Sequence, residues 1–269
     1  MLRKAVVSGQ FYPDKKESLL RMIEEMINKE IKKEKAIALI SPHAGYIYSG
    51  KVAGAVFSSA YLPQNFLILG PNHTSIGASI AIYGEGEWET PLGRVQVNKE
   101  LADLILKNSS LIENDPSTHF YEHSIEVQLP FIQYFVESFS FVPILVSSVS
   151  YSDLEEVGIN LAQAIKEFED EVMIISSTDF SHYVSQEIAE QKDNMAIQEI
   201  LNLNPKGLYE IVMREDISMC GYAPTAIALK AGLELGAEKA ELIKYSTSGD
   251  VSGDYSQVVG YAGIRISPK

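Results

Sequence analysis

The spacing of hydrophobic and polar residues switches between two patterns along the chain. Four short runs are almost unbroken in apolar character: Ala36-Ile37-Ala38-Leu39-Ile40, Phe66-Leu67-Ile68-Leu69, Phe141-Val142-Pro143-Ile144-Leu145-Val146 and Val172-Met173-Ile174-Ile175. Runs of this length without a polar face suit strands covered on both sides by helices. Elsewhere the apolar residues return at helical intervals. Leu19, Leu20, Ile23, Met26 and Ile27 do so after Asp14 and Glu17, which have the spacing of a capping box, so a helix is predicted over 14–33. The same reading predicts helices over 49–61, 98–108, 121–137, 152–168, 186–202, 205–213 and 222–235, and late strands over 240–247 and 256–264. Residues 83–97 read as an inserted hairpin, with Thr90-Pro91-Leu92-Gly93 suited to a type I turn. Strands alternating with helices predict an α/β fold with a central, mostly parallel buried sheet.

The chain has 269 residues and shows no internal repeat and no Pro/Gly/Ser-rich linker, so residues 1–269 are expected to form one domain. Its 36 acidic against 22 basic residues give a net charge of −14, which argues against nucleic-acid or anionic-membrane partners. One cysteine permits no intrachain disulfide and fits a reducing compartment. No apolar run approaches the roughly 20 residues of a membrane span. The first residues, Met1 to Gly9, lack the apolar core of a signal peptide. A cytoplasmic location is therefore expected. Exposed aromatics among the fourteen tyrosines would suit a homo-oligomer.

Three of the five histidines closely follow candidate strands. His43 stands in Ser41-Pro42-His43-Ala44-Gly45-Tyr46, His73 in Gly70-Pro71-Asn72-His73, and His182 at the end of Ser176-Ser177-Thr178-Asp179-Phe180-Ser181-His182. Ligands of open α/β sheets bind beyond the carboxyl ends of the strands, so parallel strands would bring these loops to one edge. Cys220 precedes a predicted helix, a position that lowers a thiol's pKa through the aligned peptide dipoles and favours a nucleophile or metal ligand. Asp179 lies three residues before His182 and would share a face with it on a helical turn. His123, in Glu122-His123-Ser124-Ile125-Glu126, is placed at the head of a helix, with Glu122 and Glu126 as first-turn carboxylates. His119 has no surrounding motif and reads as a surface residue. Trp88 reads as packing or interface.

These segments resemble the Memo family (mediator of ErbB2-driven cell motility), known in prokaryotes as system protein B of the AmmeMemoRadiSam group. The resemblance rests on Ser8-Gly9-Gln10-Phe11-Tyr12-Pro13, Pro42 to Tyr46, Tyr48-Ser49-Gly50, Gly70 to His73, Thr90 to Gly93, Glu122 to Glu126, Ser176 to His182, Cys220-Gly221 and Tyr245 to Asp250. It spans nearly the whole chain. It implies a fold related to class III extradiol dioxygenases, which hold non-haem Fe(II) with two histidines and a carboxylate. By that resemblance His43, His73 and Cys220 are metal ligands, His182 and Asp179 are catalytic, and His123 and Phe11 bind substrate. Cysteine in place of the carboxylate moves metal preference from iron alone toward copper or zinc and argues against ring cleavage. The function implied is a metal-binding, redox-active site with a small-molecule or peptide ligand. Two other readings are a metal-free hydrolase with Cys220 as nucleophile and His182 as base, and a non-catalytic module that binds a peptide or small anion.

Overall fold

The computed structural model describes residues 1–147 and 149–269. After a short edge strand β1 (Leu2–Arg3), helix α1 (Lys16–Met26) leads to strand β2 (Ala38–Ser41) and helix α2 (Tyr46–Ser58). Strand β3 (Asn65–Pro71) is followed by β4 (Ile80–Ile82), the hairpin β5 (Glu87–Thr90) and β6 (Gly93–Val97), helix α3 (Lys99–Asn108) and β7 (Glu113–Asn114). Then come α4 (Leu129–Phe135), β8 (Ser140–Val146), α5 (Tyr151–Glu167), β9 (Val172–Ser177) and β10 (His182–Val184). The chain ends with α6 (Gln186–Leu201), α7 (Pro205–Arg214), α8 (Tyr222–Glu234), β11 (Lys239–Thr247), α9 (Gly249–Ser252) and β12 (Val258–Ser267).

The four apolar runs form the centre of one sheet, in the order β8-β3-β9-β2, and every pair in that series is parallel. Antiparallel β12 borders β2 and carries β11 and β10. The period of two within each strand divides the core between two faces. Leu67, Leu69, Val172 and Ile174 pack with α3, α5, α6, α7 and α8, whereas Phe66, Ile68, Met173 and Ile175 pack with α1, α2 and α4. The result is a single three-layer α/β domain in which unbroken apolar strands are buried by helices on both sides. Among the described residues no helix is long and apolar enough to cross a membrane.

Two predicted helices are shorter than the pattern suggested. The helix predicted over 14–33 is confined to Lys16–Met26, and Asp14 forms no capping box because Lys15 occupies the cap position without a side-chain bond. Its end is fixed by close packing on α2: a Cβ at Gly54 would lie 2.3 Å from the Met26 carbonyl oxygen. The stretch predicted as helical over 121–137 becomes helical in α form only at Leu129, one residue before Pro130. Upstream, side chains hold the backbone in an irregular course. Glu122 accepts the N–H groups of His123 and Ser124 at 2.8 and 2.9 Å, and Arg3 donates to the carbonyls of His119 and Glu122.

Candidate metal centre

His43 lies two residues past the end of β2, His73 two past β3 and Asp179 two past β9. Because these strands are parallel neighbours, all three loops meet at the same sheet edge. The ring centroids of His43 and His73 are 5.2 Å apart. His123 joins them at 4.8 Å from His73 and 5.5 Å from His43. One nitrogen from each of the three rings falls within 4.8 Å of the other two. The grouping therefore places His123, expected only to position substrate, beside the two predicted histidine ligands. Phe11 packs edge-on against His123 with centroids 4.9 Å apart.

Hydrogen bonding fixes which nitrogens are available. Ser177 Oγ donates to the Ser124 carbonyl at 2.6 Å, so toward His43 Nδ1, 3.0 Å away, it can only accept. His43 is thus protonated on Nδ1 and presents the lone pair of Nε2. The carboxylate of Glu122 fixes His73 in the same way, accepting from Nδ1 at 3.0 Å and from the His73 backbone N–H at 2.6 Å. A carboxylate or hydroxyl behind the ring is the arrangement that orients imidazole ligands in metal sites.

Cys220 approaches from the opposite loop, with Sγ 3.3 Å from His43 Nε2. The loop is held by close contact: Gly221 N–H donates to Thr178 Oγ1 at 3.0 Å, and a Cβ at Gly221 would lie 2.4 Å from Thr178 Cβ. The Asp179 backbone N–H points at the sulfur at 3.3 Å. A cleft of about 240 Å³ opens between these loops, lined by Pro71, Asn72, His73, Ser147, Cys220 and Tyr222 among others.

The electrostatics correct one expectation. Burial pushes the Cys220 thiol well above its ordinary value, and the Asp179 carboxylate adds to this. The start of α8 does not offset these two effects, so the free protein carries a thiol at this position. Burial, with neighbouring His123 and His73, drives His43 well below the usual imidazole range. His123 is also lowered, chiefly by burial. Burial alone would lower His73, but its bond to Glu122 and the charges of Glu122 and Asp179 together raise it. Glu122, despite burial that alone would raise it, is held down to about 2 by the His73 bond and the nearby histidines. Burial raises Asp179.

Asp179 and His182 are not on a shared helical face. Asp179 Oδ1 accepts the backbone N–H of His43 at 2.8 Å, tying the β9 loop to the β2 loop. His182 begins β10, where its backbone N–H donates to Ser218 Oγ and its Nδ1 to the Ser218 carbonyl, each at 2.8 Å. Cys220, His182 and Asp179 therefore do not form the hydrogen-bonded relay of a cysteine hydrolase, since the imidazole touching the sulfur is that of His43 and Asp179 meets it through its backbone. His119, expected at the surface, is fully buried, stacked edge-on with Trp88 and Tyr83, with Nε2 3.1 Å from the Ala81 carbonyl. Burial lowers it to about 3.

Ser177, Glu122 and Glu126 were not singled out from the sequence as parts of the site. Ser177 and Glu122 orient the histidines, and Glu126 anchors the segment that carries Glu122 and His123. Glu126 Oε2 pairs with Arg3 Nη1 at 2.7 Å, while its oxygens also accept the N–H groups of Val6 and Val7 and the hydroxyl of Tyr12 at 2.6 Å. The only sequence signal was the pair of carboxylates flanking His123, which dipole arguments explained without a partner.

A family model described as Memo-like protein matches residues 3–265. A MEMO1 family protein of Methanopyrus kandleri is 42% identical over 98% of each chain. Another from Methanococcus maripaludis is 42% identical over 99% of this chain and all of its own. The fold is also similar to the crystal structure of an uncharacterized protein from Escherichia coli K12. That likeness has a TM-score of 0.54 at 13% identity and covers 85% of this chain and 99% of the other. By the family match and the extent of these identities, the chain belongs to the Memo-like family.

Proposed function

We propose that the chain binds one transition-metal ion at the sheet edge between His43, His73 and His123, with the sulfur of Cys220 as a further donor on the cleft side. The observation that supports this is the convergence of imidazole nitrogens from three separate loops within 4.8 Å. The second is that the hydrogen bonds of His43 to Ser177 and of His73 to Glu122 are both made at Nδ1, so Nε2 is the nitrogen left for a metal. Imidazoles with a nearby thiol suit copper, iron or zinc. Bound iron or copper supplies one-electron redox chemistry, whereas zinc supplies Lewis acidity.

The chain's own residues set what such a site can do. Glu122 and Ser177 hold the two rings in place. The cleft, at about 240 Å³, suits a small molecule and exposes His73 and Cys220 to it. His182 holds its Nδ1–H on the Ser218 carbonyl, which leaves Nε2 as the unprotonated nitrogen of the neutral ring. Uptake of Fe(II), Cu(I) and Zn(II) by anaerobically prepared protein tests the reading. One equivalent bound by the wild-type chain and lost in both His43→Ala and His73→Ala supports it. Equal background uptake by all three proteins contradicts it.

The hydrolase alternative is disfavoured by the raised thiol and by the position of His182.

A further inference from the structure

Asp193 is a fully buried carboxylate on α6, away from the histidine cluster, and nothing in the metal reading uses it. Neutral donors occupy both its oxygens. Oδ1 accepts the backbone N–H of Ser181 at 2.9 Å, and Oδ2 accepts the Tyr245 hydroxyl at 2.7 Å. Its place against β12 exists only because residue 260 is glycine, since a Cβ there would lie 1.8 Å from Oδ2. The Ser181 carbonyl accepts the Gly260 N–H at 2.9 Å, and the Gly260 carbonyl accepts the Phe180 N–H at 2.9 Å. Residues 180 and 181 are thereby clamped from both sides immediately before His182.

The residue after His182 shows how tightly this turn is determined. Tyr183 has φ +56°, a left-handed conformation that a bulky side chain adopts only when its surroundings impose it. Its ring is exposed, so packing of the side chain does not supply the compensation. The constraint comes from the backbone: His182 and Val184 pair with Val259 and Val258 of β12 across a bulge at Tyr183, while Asp193 holds Ser181 and Ser218 holds His182. The neighbour of Asp193, Lys192, donates through Nζ to the Asp216 carbonyl at 2.9 Å, so α6 also steadies the loop that carries Ser218.

We propose that Asp193 is a positioning residue for His182: by latching the Ser181 peptide, it keeps the His182 ring on the Ser218 carbonyl, protonated on Nδ1 and basic on Nε2. This rests on the reading of His182 as a proton-carrying group beside the site. The burial of a carboxylate without a cation costs stability unless its hydrogen bonds are made. Here one of them holds the turn before His182 and the other ties Asp193 to Tyr245 of β11.

The test is the ring ¹⁵N spectrum of histidine-labelled, metal-free full-length protein, recorded above the ordinary imidazole pKa of about 6.5. A His182→Gln spectrum assigns the resonance. Wild-type His182 should show one protonated Nδ1 and one bare Nε2. Folded Asp193→Ala should lose this pattern for an average of two tautomers. Asp193→Asn, which retains an acceptor for Ser181, should restore it. A loss of thermal stability in Asp193→Ala with the His182 pattern intact overturns the proposal, because that is what a purely structural role gives. Should Asp193→Ala fail to fold, Tyr245→Phe removes one of the two donors to Asp193. Partial loss of the single-tautomer pattern in it supports the latch, and an unchanged pattern overturns it. Metal uptake is measured separately, so a chain that binds no metal sinks the metal reading and leaves this result standing.

Discussion

A serine hydroxyl has one proton, and that of Ser177 is committed to the Ser124 carbonyl, which leaves His43 to supply the proton of their shared bond. Glu122 settles His73 with the same logic and a full charge. These two side chains determine the direction of the nitrogen lone pairs, so they should matter for metal affinity without being ligands. Outer partners of ligating histidines typically contribute about 10–100-fold to affinity. Glu122→Gln should weaken metal binding by about that factor while the stoichiometry stays the same, as read by competition with a chelator. His119 gives a prediction at the same scale that does not involve metal. Its folded-state pKa is lowered to about 3, mainly by burial, from an ordinary value of about 6.5. Above 6.5 it is neutral in both states, and its contribution to stability is fully present. As pH falls from 6.5 toward 3, only the unfolded chain takes the proton, and stability is lost. Between pH 7 and pH 5 this one group should remove about 2 kcal/mol. Urea unfolding of His119→Gln should show a smaller loss over that interval by about the same amount. Equal slopes for the two proteins would contradict the burial argument.

At the scale of elements, the site depends on segments that are not regular helix or strand. The N-terminal residues are strapped across the 119–128 segment by Arg3, whose guanidinium reaches Glu126 and two carbonyls of that segment and lies 4.0 Å from the centre of the Trp88 ring. Removing one partner of a buried ion pair typically costs about 3–5 kcal/mol, because the other charge stays buried. Arg3→Met should destabilise the fold by about that amount in urea titration. On the other side, Gly221 admits the Thr178 side chain so closely that Gly221→Ala should cost about 1–3 kcal/mol by overpacking. A variant as stable as the wild type would show that the loop relaxes freely. These contacts also explain what the sequence could reveal. The unbroken apolar runs of β2, β3, β8 and β9 signalled strands buried on both faces, and the histidines following β2 and β3 signalled the sheet edge. The irregular course of 119–128 was not legible. It comes from Arg3, more than a hundred residues away, holding two carbonyls of that segment. Burial of His119 and the raised thiol of Cys220 were hidden for the same reason, as each depends on what packs against it rather than on its neighbours in sequence.

For the whole molecule, a parallel four-stranded centre carries loops that converge because the strands share a direction. Two apolar layers of helices make this centre rigid, so the positions of His43, His73 and Asp179 follow from strand register rather than from loop length. The site thus draws His43, His73 and Asp179 from three neighbouring strands, which preform that edge before a ligand arrives, while His123 comes from the irregular 119–128 segment and Cys220 from the segment before α8. The central claim is that this preformed edge binds a metal. The measurement that tests it most directly is anaerobic titration of metal-free protein with Fe(II), Cu(I) and Zn(II), following the bound metal by elemental analysis after desalting. The wild-type chain should hold one equivalent of at least one of these ions, His43→Ala and His73→Ala should lose it, and Cys220→Ser and His123→Ala should retain it more weakly. Wild-type uptake no greater than that of the His43→Ala variant for all three metals would contradict it.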